Sequence, residues 1–167
     1  MAESESFDAV LILGEDVTNT APRLALSLRQ TAKKRPNDEA AAMRISDWDN
    51  YSIKQVVQWR KGPFYIASTH KTNLSDVATR ELYATPDEIA RLGYAIAHEI
   101  DNSFPAVSDL SAETTTLAKA IAKDLKEAKK PLIVSGSSLF SEEVIGAAAN
   151  VAYALKNEND ETGLIYT

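Results

Sequence analysis

Cysteine is absent from this 167-residue sequence, so the chain by itself holds no disulfide, thiolate nucleophile, zinc ribbon or cysteine-ligated iron–sulfur cluster. Histidine is scarce, with only His70 and His98 to serve as a base or an imidazole ligand. The six glycines do not fall at the spacing that lets a backbone approach a pyrophosphate in the dinucleotide fingerprint. Positive charge is in deficit, with 18 Lys and Arg against 24 Asp and Glu and a net charge of -6. The basic runs, Lys33-Lys34-Arg35 and Lys129-Lys130, are too short to replace counterions on nucleic acid or an anionic membrane. Long apolar runs are missing as well: Ala147-Ala148-Ala149 with Val151 to Leu155 is interrupted by Asn150 and far too short to cross a bilayer. The start, Met1-Ala2-Glu3-Ser4-Glu5-Ser6, lacks the basic residues and apolar stretch of a signal peptide. These absences together predict a soluble, cytoplasmic protein.

What is present fits a single α/β domain over residues 1–167. With 44% hydrophobic and 25% charged residues, a chain of this size buries roughly 70% of its unfolded surface on folding. Two stretches share one build, an apolar strand followed by a small polar loop and a helix. The first runs Asp8-Ala9-Val10-Leu11-Ile12-Leu13-Gly14-Glu15-Asp16-Val17-Thr18 into Arg23 to Gln30; the second runs Pro131-Leu132-Ile133-Val134-Ser135-Gly136-Ser137-Ser138 into Ser141 to Leu155. Strands apolar on both faces belong inside a parallel sheet covered by helices on each side, and such sheets place ligands at the carboxyl ends of their strands.

Between these units the alternation continues. Pro22 starts a helix with Leu24, Leu28 and Thr31 on one face, and Asn37 or Asp38 caps a further short helix through Ala40 to Arg44. Ile45, Trp48, Ile53, Val56, Val57 and Trp59 suggest helical pieces. Phe64-Tyr65-Ile66-Ala67 reads as a strand ending in the turn Ser68-Thr69-His70-Lys71, and Asn73 opens a short helix that stops near Arg80. Thr85-Pro86-Asp87-Glu88 is a helix start, with a cap, a first-turn proline and two carboxylates at the positive end of the dipole. Ser111 opens another helix, which Pro131 terminates, and Thr162 to Thr167 is a last strand. This order predicts a three-layer α/β/α fold around a mainly parallel, Rossmann-like sheet. The alternation calls for a further loop and helix after Thr167, which reads as an internal fragment of a larger subunit.

The candidate binding residues are those of the two strand-end loops, Gly14, Asp16 and Thr18 with Ser135, Gly136 and Ser137. The first loop sets two carboxylates where a phosphate would sit, and Gly14 with Asp16, Thr18 and Thr20 suffices as a tight turn that caps backbone amides. The second offers hydroxyls and a glycine ahead of a helix N-terminus, a plausible anion cradle. Ser141-Glu142-Glu143 supplies acid that already satisfies that helix start. No catalytic constellation is assembled: there is no Gly-x-Ser-x-Gly elbow, and His70 and His98 read as structural or surface histidines, although His98 is spaced to pair with Asp101. The pairs Asp47/Asp49 and Glu142/Glu143 suit solvated surfaces, and no His/Asp/Glu cluster has metal-ligand spacing. Trp48 and Trp59 share a helical face, as core anchors or as a docking surface.

Three stretches carry a resemblance beyond periodicity: Phe7 to Thr20; Ala90-Arg91-Leu92-Gly93-Tyr94-Ala95-Ile96-Ala97-His98 with Asp101-Asn102-Ser103; and Ala128 to Gly136 with Ala147-Ala148-Ala149-Asn150-Val151-Ala152. They resemble, in order, the large iron–sulfur subunit of bacterial NADH-quinone oxidoreductase, respiratory complex I. The resemblance implies a piece of that subunit's molybdopterin-oxidoreductase-like region, an α/β fold shared with formate dehydrogenases and DMSO reductase. In cofactor-bearing relatives the loop matching Gly14 to Thr20 helps hold a molybdopterin dinucleotide, commonly with Asn-Pro where Asp16-Val17 stands here. The resemblance therefore implies no cofactor in this fragment, with molybdopterin lost and iron–sulfur clusters held elsewhere in the parent subunit. It also implies partners in the remainder of that subunit and in other complex I subunits, without nucleic acid or direct membrane insertion. The expected location is cytoplasmic, peripheral to the inner membrane. A catalytically silent structural domain follows, with a nucleotide- or molybdopterin-binding module at the strand-end loops as the alternative.

Overall fold

The computed structural model describes residues 6–45, 51 and 62–167. Trp48, Trp59, Asp47 and Asp49, and the helical pieces expected around them, lie outside the described residues. In chain order the elements are β1 (Ala9–Leu13), α1 (Val17–Thr20), α2 (Pro22–Ala42), β2 (Phe64–Ser68) and β3 (Arg80–Tyr83). There follow α3 (Pro86–Ile100), α4 (Ala112–Glu127), β4 (Pro131–Ser135), α5 (Glu142–Lys156) and β5 (Gly163–Tyr166).

Among the described residues the strands form one sheet in the order β3-β2-β1-β4-β5, every pair parallel. All five residues of β1, β2 and β4 are buried, and their side chains divide by parity between two cores. Ala9, Leu11, Leu13, Tyr65 and Ile133 pack under α3, α4 and α5, whereas Val10, Ile12, Phe64, Leu132 and Val134 pack under α2. This is the three-layer α/β/α arrangement expected from the doubly apolar strands, since a period of two on a central strand needs a cover on each face.

Two local expectations change. No break separates the helix at Pro22 from a second one at Asn37: α2 runs 21 residues, straight through Pro36. A proline inside a helix leaves the carbonyl four residues back without its donor. Here that carbonyl, on Ala32, accepts instead from the Gly62 N–H at 3.1 Å, so the helix continues. The helix expected from Asn73 is a set of turns, and the edge strand β3 follows it. Arg29 of α2 takes up that segment's polar groups, bonding the Asp76 carboxylate at 2.7 Å and the Asn73 carbonyl. The edge strand β3 has no fully buried residue, so it lacks the apolar run that revealed the others.

The N-terminal ends of β1 and β4 are tied by Asp8. Its carboxylate accepts from the Lys129 N–H at 3.0 Å and the Lys130 N–H at 2.8 Å, while its own N–H donates to the Lys130 carbonyl at 3.1 Å. Removing the carboxylate with Asp8→Ala leaves two strand-edge donors to water and is expected to lower unfolding free energy by about 1.5 kcal/mol. A urea midpoint indistinguishable from wild type would show the clamp to be energetically idle.

Helix starts respond to acid. Thr85 and Glu88 form a reciprocal capping box on α3, and the Thr85 backbone N–H holds the Glu88 carboxyl below its ordinary range. The Ser103 N–H does the same for Asp101 at the end of that helix, and on α5 the Glu143 carboxyl is lowered by its own backbone N–H and then by the Ser141 hydroxyl. A carboxylate lowered in the folded state contributes stability above its unfolded pKa, about 4 for Asp and Glu, and loses it as pH falls through the folded value. The thermal midpoint is therefore expected to drop below about pH 4. The Thr85→Ala variant should show less of that drop, because Glu88 loses its side-chain partner.

Candidate functional site

In the sheet order, β1 has β2 on one side and β4 on the other, so the chain direction across the sheet reverses between β1 and β4. That reversal falls at the carboxyl ends of the two strands, where an open α/β sheet has its crevice and takes its ligands. Leu13 is in register with Ser135, so the Gly14 and Gly136 loops leave the sheet side by side. The two candidate loops thus start from adjacent strand ends, although they lie more than a hundred positions apart in sequence.

Gly14 makes the turn out of β1 with φ at +72°, a left-handed conformation that side chains resist. Val144 Cγ1 and Leu139 Cδ1 would lie 2.7 and 2.9 Å from a Cβ there, so α5 and its preceding loop close over the turn. Asp16 caps the one-turn α1: its Oδ1 accepts from the Thr18 N–H at 3.1 Å and the Thr18 hydroxyl at 2.5 Å, and its Oδ2 accepts from the Asn19 amide at 2.6 Å. The His70 Nε2 lies 3.7 Å from the same carboxylate, reaching across from the end of β2. Thr20 donates to the Asp16 carbonyl at 3.3 Å and meets the Thr167 hydroxyl at 3.2 Å. Of the three residues expected to cap backbone amides, Asp16 does so at the Thr18 N–H, whereas the Thr18 and Thr20 hydroxyls donate to Asp16 itself.

On the second loop Ser135 is fully buried and donates to the Leu13 carbonyl at 2.8 Å, a bond between the two strand ends. Ser137 is exposed, and its carbonyl accepts from the Phe140 N–H at 3.0 Å. The cradle itself is filled, but by a different group from the helix caps expected to satisfy it. Glu15 is 1% exposed; its Oε1 accepts from the Ser138 hydroxyl at 2.5 Å and its Oε2 from the Ser138 N–H at 3.3 Å. Gly136 faces the same carboxylate so closely that a Cβ would meet Glu15 Oε2 and the Thr167 carbonyl, with Glu15 Cδ 2.7 Å away. Ser141 meanwhile caps α5 separately, accepting from the Val144 N–H at 3.4 Å and donating to Glu143 Oε2 at 2.9 Å. Glu15 is the residue that sequence reasoning did not single out. Its signal was an acidic loop and a Ser/Gly loop on two like units, complementary only once the sheet order is known.

The remaining candidates stay apart from the crevice. His98 meets the Phe104 carbonyl at 2.6 Å through Nδ1, and Asp101 accepts from the Ser103 N–H at 2.9 Å, so His98 holds a loop to its helix instead of pairing with Asp101. A loop that returns to the helix end supplies each with a nearer partner. Among the described residues, no group of three or more His, Asp or Glu side chains has metal-binding geometry. None of the described helices is long and apolar enough to cross a membrane. Glu15 thus stands between the two loops, on the donors that the second loop was expected to offer an anion.

No family model matches the chain. Curated relatives do. The chain is 48% identical over 156 residues to the NADH-quinone oxidoreductase G subunit of Pseudomonas fluorescens, 93% of this chain and 17% of that protein. Against the NADH-quinone oxidoreductase G subunit of Escherichia coli K12 the identity is 44% over 164 residues, 98% of this chain and 18% of that protein. The same subunit of Salmonella typhimurium LT2 is 43% identical over an equal 164-residue length. The chain thus matches, nearly end to end, one segment of these proteins, and spans under a fifth of their length.

Proposed function

We propose that this chain is a structural, catalytically silent segment of a large NADH-quinone oxidoreductase subunit, whose parent enzyme passes electrons from NADH to quinone as respiratory complex I. The observation that carries the reading is the 48% identity over 93% of the chain. The geometry supports it, because the crevice where this fold takes ligands holds a side chain of the protein's own. On this reading the segment forms one domain, its partners are the rest of its own subunit and other subunits of the complex, and it lies peripheral to the membrane on the cytoplasmic side. Iron–sulfur clusters belong to other parts of the parent subunit, and the molybdopterin of more distant relatives has no place in this one.

The test puts this chain in place of the matching segment of the Escherichia coli relative and measures NADH-to-quinone turnover in the assembled complex. Assembly with full turnover is expected, and Ser137→Ala or Asp16→Ala, which alter the crevice but not the core, should leave turnover unchanged. A several-fold loss in an assembled complex would sink the scaffold reading. An iron–sulfur or molybdenum signal in the electron paramagnetic resonance spectrum of the reconstituted 167-residue chain would do the same.

A second reading, a nucleotide- or molybdopterin-binding module, draws on the convergence of both loops at the reversal of the sheet. Calorimetric titration with adenine and guanine nucleotides separates the two. Saturable heats favour the module, and flat heats favour the scaffold.

A further inference from the structure

We infer that Glu15 is a built-in occupant of an oxyanion seat, and that the seat takes a free anion of the phosphate or sulphate class once that side chain is removed. The seat lies between the β1 and β4 loops, where Ser138 presents both its N–H and its hydroxyl to the Glu15 carboxylate. Gly136 gives up its side-chain space to that carboxylate, since a Cβ there would lie 2.7 Å from Glu15 Cδ. A second observation, independent of those bonds, concerns charge. Glu15 is 1% exposed, yet among the described residues no Lys, Arg or His forms an ion pair with it.

A buried carboxylate without a counter-ion is tolerated only where N–H and hydroxyl dipoles converge on it. The seat therefore favours an anion by construction. Asp16, the other acid of the loop, is turned away onto Thr18 and Asn19, so a single carboxylate holds the place. The atoms that Glu15→Ala removes are close in number to those of inorganic phosphate, and the donors they leave behind are those an oxyanion accepts from. In the native chain the tethered carboxylate has a large effective concentration over any free anion, and the seat stays closed to solution. The inference stands apart from the scaffold role, because it is decided on the isolated chain by anion titration and not by turnover.

The experiment titrates sodium phosphate into the 15N-labelled chain, with sodium chloride at equal ionic strength as reference. Glu15→Ala is expected to show shifts at the Gly136 and Ser138 amides that saturate at roughly millimolar phosphate, and the wild type none. Adding Ser138→Ala to Glu15→Ala removes one donor to the anion and should weaken phosphate by about tenfold or more. A folded Glu15→Ala chain without saturable shifts overturns the inference, and so does an affinity unchanged by Ser138→Ala. Should Glu15→Ala unfold in chloride, recovery of its native circular dichroism at phosphate concentrations that leave the wild-type midpoint unchanged supports the seat. Recovery only at concentrations that also raise the wild-type midpoint, or no recovery, overturns it, since such salts stabilise any fold non-specifically.

Discussion

Gly14→Ala is expected to lower the unfolding free energy by about 3 kcal/mol. Two effects add at this position. The backbone sits at φ +72°, where an L-residue costs roughly 1–2 kcal/mol relative to glycine. The new methyl would also lie 2.7 Å from Val144 Cγ1 and 2.9 Å from Leu139 Cδ1. Val144 is buried in the first turn of α5 and has no open side to move toward, so relief requires that helix to shift. Overpacking of this kind typically costs about 1–3 kcal/mol, about as much again as the backbone. Urea unfolding followed by circular dichroism measures the loss as a lower midpoint at unchanged slope. A midpoint near wild type would mean that the β1 turn relaxes freely, and with it the placing of Glu15 and Asp16.

Gly93→Leu is the second large effect, on the order of 3 kcal/mol, and its cause is packing alone. Gly93 lies midway along α3 in ordinary helical conformation, where its lack of a side chain lets α5 come close. A Cβ there would be 2.8 Å from the Ala147 Cβ and 3.2 Å from Leu13 Cδ1, so leucine has no room between helix, helix and sheet. Better helix propensity returns up to about 1 kcal/mol and does not offset the clash. Gly146→Ala is the matched control. Its Cβ meets only the Tyr94 hydroxyl, at 3.1 Å, the movable end of a side chain, so this variant should be neutral or slightly more stable. If Gly93→Leu behaved like Gly146→Ala, the close approach of α3 and α5 would not be what sets the height of this layer.

The central strands were legible because burial on both faces leaves no alternation to confuse: Ala9–Leu13 and Pro131–Ser135 are apolar at nearly every position. The starts of α3, α4 and α5 were legible at Thr85, Ser111 and Ser141, where a short polar side chain meets an orphan backbone N–H. Arg80–Tyr83 was not, since an edge strand half open to water carries no such pattern. The continuation of α2 past Pro36 was hidden for a different reason. The donor that replaces the missing proline N–H comes from Gly62, far along the chain.

Composition, periodicity and capping residues by themselves determined the class of fold, the depth of its core strands and the two loops that follow like strand ends. These are local properties, set by side chains within a few positions of one another. The order β3-β2-β1-β4-β5 was decided only by the tertiary structure, because strand neighbours depend on crossovers and not on local preference. With that order came the pairing of Glu15 with Ser138, 123 positions away, which joins two loops that are separate in the sequence.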